Sequence, residues 1–136
     1  MRALLDTHVW LWMLAEPERL GDARTFLEDA EHELLLSAVS SWEITIKHAL
    51  GRLPLPMPPR VFLPDRIRSS GVVPLPIEHA HVMALDGLPR LHRDPFDRML
   101  VAQARHLDVA VVTSDPLVAA YDVATYHVAT IRIASP

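Results

Sequence analysis

Five carboxylates of this chain stand at positions where chemistry is possible. Asp6 ends the apolar run RALL, Asp115 follows VAVVTS, Glu43 lies in SSWEI, and Asp94 and Asp97 share the segment DPFDRML. Crowded carboxylates repel one another, so at neutral pH some must hold protons or share a cation. Oxygen ligands without any cysteine suit Mg2+ or Mn2+, and two such ions about 4 Å apart can clamp the oxygens of a phosphodiester. Each acid also has an ordinary structural use. Asp6 can cap a helix starting at Thr7, and Asp94 and Asp115 precede prolines, as helix caps do. Asp97 stands three residues after Asp94, as the acid of a capping box would. Glu43 can pair with Lys47 four residues on, worth a few tenths of a kcal/mol. Yet Glu43 borders the apolar residues Trp42, Ile44 and Ile46, and Asp97 lies between Phe96 and Leu100, so neither belongs to a fully solvated face.

The elements that must position these acids alternate along the chain. Strands are expected at 2–5, 33–38, 72–76 and 109–114, with an edge strand at 126–133. Helices are expected at 7–15, 20–32, 39–51, 60–71 (with Pro64 near a break), 77–88 and 94–108, and a last one from Asp115. The strands at 33–38 and 109–114 are continuously apolar, the pattern of strands covered on both faces. Serines open and Gly51 closes the helix at 39–51. The proline-dense stretch 53–59 is a connector, either stiff or flap-like. Short buried strands alternating with helices mean an α/β/α three-layer sandwich around a parallel sheet. In such sheets ligands bind outside the carboxyl ends of the strands, where strand order switches. Asp6 and Asp115 are expected at two such ends.

Composition narrows the class. The 136 residues contain no cysteine and are half hydrophobic, which excludes a disulfide scaffold, a thiolate metal site and a disordered chain. They read as a single domain, residues 1–136. With no leader and no run of 18 apolar residues, a cytoplasmic protein without a membrane span is expected. The net charge of −4 is unevenly spread, at −5 over residues 1–50, +3 over 51–107 and −2 over 108–136. An anionic ligand therefore meets the middle segment most readily.

The motifs LLDTHVWLW, SAVSSWEITIKHALGRLPLP, HRDPFDRMLVAQA and VVTSDP resemble, in this order and over essentially the whole chain, the PIN-domain ribonucleases, specifically the VapC-type toxins of toxin–antitoxin modules. The resemblance implies a PIN-like fold and a Mg2+- or Mn2+-dependent endoribonuclease. Asp6, Glu43, Asp97 and Asp115 match the family's four acids. Asp94 is then an auxiliary ligand or a cap, and Thr113 and Ser114 are hydroxyls that orient a ligand or water. A metal-activated water would attack phosphorus in line, with Asp6 and Asp97 binding metal directly and Glu43 and Asp115 completing its shell. Arg93 and Arg98, beside the acids in sequence, would hold the RNA backbone or pair with the acids. Implied partners are an RNA substrate, a VapB-type antitoxin that fills the acidic groove, and a second copy in a homodimer. Trp10, Trp12 and Leu14 would line the antitoxin groove or belong to the core.

The remaining histidines fit no zinc site, since His79 and His81 point to different sides of a helix without a third ligand. His8 and His92 flank the acid motifs and would touch substrate, pack or cap. A catalytically inactive PIN-like module that binds RNA or protein is the alternative, disfavoured because all four acids are present. An aspartate-nucleophile phosphatase would carry a second aspartate where His8 stands, and a receiver domain would need a late strand-end lysine. Lys47 is the only lysine.

Overall fold

A computed structural model describes residues 1–123 and 130–132. Five parallel strands form one sheet: β1 (Arg2–Leu5), β2 (Glu33–Ser37), β3 (Val73–Leu75), β4 (Ala110–Thr113) and β5 (Thr130–Arg132), in the order β3-β2-β1-β4-β5. The chain adds β2 and β3 on one side of β1, then crosses to add β4 and β5 on the other. The switch point therefore falls between β1 and β4, whose carboxyl ends lead to Asp6 and Asp115. The helices are α1 (Thr7–Ala15), α2 (Ala23–Glu28), α3 (Ala38–Ala49), α4 (Pro59–Ser70), α5 (His79–Met83), α6 (Pro95–Leu107) and α7 (Pro116–Ala119).

Alternation along the strands builds the three layers. Ala3, Leu5, Leu34 and Leu36 pack with Val9, Trp10, Leu27, Phe62 and Leu63 on one face of the sheet. Leu4, Leu35 and Val111 pack with Leu100, Val101, Ala104, Val118 and Tyr121 on the other. Adjacent residues of a strand point to opposite faces, so the continuously apolar strands feed both cores. The expected α/β/α sandwich is the observed one.

Several boundaries differ from the sequence reading, each for a local reason. The helix expected at 20–32 is only Ala23–Glu28, because Gly21 takes φ +56° and turns the chain after a 3₁₀ turn at Pro17–Leu20. The Asp29 carboxylate then accepts from the N–H of Glu31 (2.9 Å), closing a turn. Helix α3 starts at Ala38, capped by the Ser37 hydroxyl on the Val39 N–H (3.0 Å), rather than by Ser40 or Ser41. Helix α4 runs unbroken through Pro64, which lies on its exposed side, where the missing N–H leaves a carbonyl that water can reach. The helix expected at 77–88 is reduced to α5, with Gly87 at φ +79° in the turn that follows. The edge strand expected at 126–133 is seen as β5, and its remaining positions lie outside the described residues.

Candidate active site

Four helices deliver the acids to the switch point by their amino-terminal ends. Asp6 precedes α1, Asp94 precedes α6 with Asp97 in its first turn, Asp115 precedes α7, and Glu43 lies in the second turn of α3. The positive ends of the helix dipoles favour carboxylates there. A buried hydrogen bond from Thr7 Oγ1 to Ser40 Oγ (2.8 Å) ties the starts of α1 and α3 together.

Asp6 answers its ambiguity against the cap. Its side chain makes no capping bond to α1. Instead it accepts from Thr113 Oγ1 at 2.7 Å, across the gap between β1 and β4, and its backbone N–H bonds Val112 O at 2.9 Å. Burial pushes the Asp6 carboxyl above its ordinary range, with the Thr113 hydrogen bond and His8 partly opposing that rise.

Asp94 is a cap: its Oδ1 accepts from the N–H groups of Phe96 (2.8 Å) and Asp97 (3.3 Å). Asp115 divides its work between both readings. Oδ1 caps α7 through the Leu117 N–H at 2.8 Å, while Oδ2 faces His92 Nε2, also at 2.8 Å. Thr113 serves two acids, because its Oγ1 also accepts from the Asp115 N–H at 3.0 Å. Ser114 has no side-chain hydrogen bond among the described residues.

Glu43 is 2% exposed and pairs through Oε2 with Lys47, one turn along α3. Its Oε1 is buried without a partner among the described residues. Burial pulls the Lys47 ammonium down, but Glu43, Asp94 and Asp97 outweigh that and leave it above its ordinary value. Asp97 feels the whole cluster. Burial first, then Asp6, Asp94, Glu43 and Asp115, push its carboxyl up to about 8. The five acids singled out in the sequence thus converge on one site.

The sequence reading left His92 undecided between substrate contact and capping; the structure makes it a hub of the site. Its Nδ1 accepts from the Asp94 N–H at 3.0 Å, so its proton resides on Nε2. That Nε2–H lies 3.1 Å from Asp97 Oδ2 and 2.8 Å from Asp115 Oδ2, and so holds two acids from two helices together. The signal was its place two residues before DPFD, but only the turn at 92–94 shows which way the ring faces. His81, by contrast, is a core residue, accepting from the Glu78 N–H (3.0 Å) and lying 3.2 Å from Gln103 Nε2.

Arg98 turns away from the acids. It donates to the carbonyls of Pro89 (3.0 Å) and Leu88 (3.4 Å), so it anchors the loop before α6 instead of pairing with a carboxylate. Arg93 is exposed beside the cluster. Trp10 is fully buried, donating Nε1 to Ser70 Oγ at 3.2 Å, and is therefore core. Trp12 and Leu14 do line a cleft, a cavity of about 430 Å³ bounded also by Leu11, Leu53, Leu55 and Phe62.

This parallel sheet, with acids gathered at its switch point, defines a class, and the chain belongs to the PIN domain family, whose sequence model matches residues 3–124. It is similar to ribonuclease VapC16 of Mycobacterium tuberculosis, 42% identical over 64 residues, which cover 47% of this chain and 45% of that protein. It is also similar to ribonuclease VapC22 of the same organism, 30% identical over 115 residues, 82% of this chain and 85% of that protein. Among solved structures it resembles a chain of VapBC2 from Rickettsia felis bound to a promoter DNA fragment, with a TM-score of 0.69 and 10% identity over 98% of this chain and 99% of that one. A chain of VapBC-1 from nontypeable Haemophilus influenzae gives a TM-score of 0.63 and 15% identity over 97% and 98%. At these identities the structural likeness is one of fold.

PIN-domain ribonucleases are metal-dependent, and the residues here fit a divalent cation. The donors are oxygens, one of them the unpartnered buried Glu43 Oε1, and an Asp97 carboxyl that holds its proton to about 8 marks negative charge in excess of what the protein neutralises. One ring nitrogen of His92 and one carboxylate oxygen each of Asp97 and Asp115 lie within 4.8 Å of one another, and with its proton on Nε2 the imidazole orients the two acids rather than ligating. No helix of the described residues is long and apolar enough to cross a membrane.

Proposed function

We propose that this chain is a metal-dependent endoribonuclease, the toxin of a toxin–antitoxin module, with residues 1–136 acting as one catalytic domain. The observation that carries the reading is the convergence of five carboxylates, strong enough to lift Asp97 to about 8. Such a cluster destabilises the protein that holds it unless a cation is part of its working state.

In this reading Asp6 and Asp97 bind Mg2+ or Mn2+ directly, and Glu43 and Asp115 complete the shell. When bound, the ion neutralises the acids and supplies a water of lowered pKa at the phosphodiester. Thr113 fixes the rotamer of Asp6 through its 2.7 Å hydrogen bond. His92 holds Asp97 and Asp115 by its Nε2–H, and Lys47 holds Oε2 of Glu43. Glu43 Oε1, left bare by that pairing among the described residues, is the atom we assign to the shell, and a neighbouring carboxylate takes the proton of the attacking water. Hydrolysis then leaves a 5′-phosphate and a 3′-hydroxyl.

A VapB-type antitoxin is the proposed partner, seated in the cleft lined by Trp12, Leu14 and Leu55. The similarity to VapC relatives and to VapBC chains supports it. A homodimer is proposed through the apolar ridge of α3, where Trp42, Ile46 and Leu50 stand exposed one turn apart. The test is cleavage of total RNA by the purified chain in Mg2+ or Mn2+, with EDTA and Asp97→Asn as controls. Discrete products that disappear in both controls support the assignment. A folded, antitoxin-free chain that cuts nothing with either metal overturns it in favour of a binding-only module.

A further inference from the structure

A second feature shares a wall with the acid cluster, and it gives a place to Arg93, which the resemblance implies holds RNA, and to Arg90, which the sequence did not single out. Arg90, His92, Arg93 and Arg98 line a cavity of about 490 Å³. His92 is a wall common to the cavity and to the acid cluster, since its Nε2 faces Asp97 and Asp115. The cavity therefore opens beside the carboxylates.

Its four residues divide into a scaffold and a pair of free cations. Arg98 donates to the carbonyls of Leu88 and Pro89, and the buried Tyr121 hydroxyl donates to Pro89 O at 2.7 Å and accepts from the His92 N–H at 3.2 Å. These bonds hold residues 88–92 in one shape. Arg90 and Arg93, carried on that loop, are exposed and have no hydrogen bond or ion pair among the described residues. Most arginines elsewhere that carry a partner pair with acids, as Arg2 with Glu33, Arg19 with Glu16 and Arg24 with Glu28 do. Two unpaired guanidinium groups in a cavity that shares its His92 wall with the acid cluster are placed for a ligand that is itself negative. A polyanion approaching the acids is repelled by them, and fixed cations at the rim offset that repulsion. Guanidinium groups match the oxygens of a phosphate.

We propose that Arg90 and Arg93 hold one backbone phosphate of the RNA strand, adjacent to the phosphodiester cut at the acids, on the loop that Arg98 and Tyr121 make rigid. The proposal rests on the ribonuclease reading and adds to it a binding subsite. It also makes Arg98 a positioning residue for that subsite.

The experiment uses the full chain and a fluorescent single-stranded RNA oligonucleotide that the wild type cleaves. Binding is followed by anisotropy in Ca2+ across a KCl series, and cleavage rates are measured in Mg2+. Arg90→Ala and Arg93→Ala should each weaken binding about five- to tenfold, and the double variant should flatten the log–log salt dependence by about 0.7, the loss of one phosphate contact on a single strand. KM should rise while kcat stays within about twofold, because the contact is to a neighbouring phosphate and not to the reacting atoms. Arg60→Ala, which removes an exposed cation on α4, should change neither. Lysine at both positions should restore most of the affinity, which a folding defect would not permit. Mn2+-induced stabilisation should match the wild type in every variant. Alanine variants that keep wild-type affinity and salt slope overturn the subsite while leaving the ribonuclease reading intact. Loss of binding to an acidic antitoxin segment with RNA binding unchanged also overturns it, in favour of a protein ligand. A wild type that neither binds nor cuts RNA overturns both.

Discussion

Replacing Asp97 by Asn separates what the acid cluster does for function from what it does to stability. The Asp97 carboxyl lies at about 8 in the folded chain against 3.8 for an unperturbed aspartate, and its side chain is only 13% exposed. Between those two values the folded state holds a proton that the unfolded chain has released. Stability from this group is therefore full below about pH 4 and declines as pH rises toward about 8. Each pH unit inside the window removes about 1.4 kcal/mol, so moving from about pH 5 to about pH 7 removes about 3 kcal/mol. For a chain of this size that corresponds to roughly 10 °C in Tm. Asp97→Asn cannot titrate, and its amide oxygen can still accept from His92. In EDTA the variant should thus become more stable than the wild type by about 4 kcal/mol at about pH 7, with the gap narrowing by about 3 kcal/mol toward about pH 5 and closing near about pH 4. Mg2+ or Mn2+ should raise the wild-type Tm and leave the variant nearly unmoved. Calorimetric or fluorescence-detected unfolding at the two pH values, with and without metal, reads all of this. Parallel wild-type and variant curves across the window would refute the reasoning, because the carboxylates would then not share the field that their convergence implies.

Thr113→Val removes the hydroxyl that donates to Asp6 and accepts from the Asp115 N–H. It should cost about 1–3 kcal/mol and weaken Mn2+ binding measured by calorimetry, since Asp6 would hold its proton more tightly. Lys47→Met strands the buried Glu43 charge and should destabilise the metal-free chain by about 3 kcal/mol. Mn2+ should restore more Tm in this variant than in the wild type, an effect visible by thermal shift. Tyr121→Phe removes both hydrogen bonds of the hydroxyl to the 89–92 loop and should cost about 1–2 kcal/mol. Trypsin should then cut faster after Arg90 and Arg93, as mass spectrometry of early fragments would show.

The amino-acid sequence by itself determined the layer architecture and singled out the acids that the fold brings together. Continuous apolar runs at 34–36 and 109–112 read as strands covered on both sides, and alternation with helices makes their sheet parallel. Local chemistry also set the caps at Asp94 and Asp115, whose N-terminal carboxylates and following prolines need no distant partner. The extents of α2 and α5 were not legible, because Gly21 and Gly87 end or displace helices whose periodic residues run on past them. Only the tertiary structure removed the capping use of Asp6, since its side-chain partner, Thr113, lies 107 residues away across the sheet. The same is true of Arg98 and Arg93, near neighbours in sequence with opposite fates. One guanidinium folds back onto the carbonyls of a loop and the other is left at the rim. Which way a long cationic side chain turns depends on where acceptors from other elements come to rest, and spacing along the chain carries no record of that.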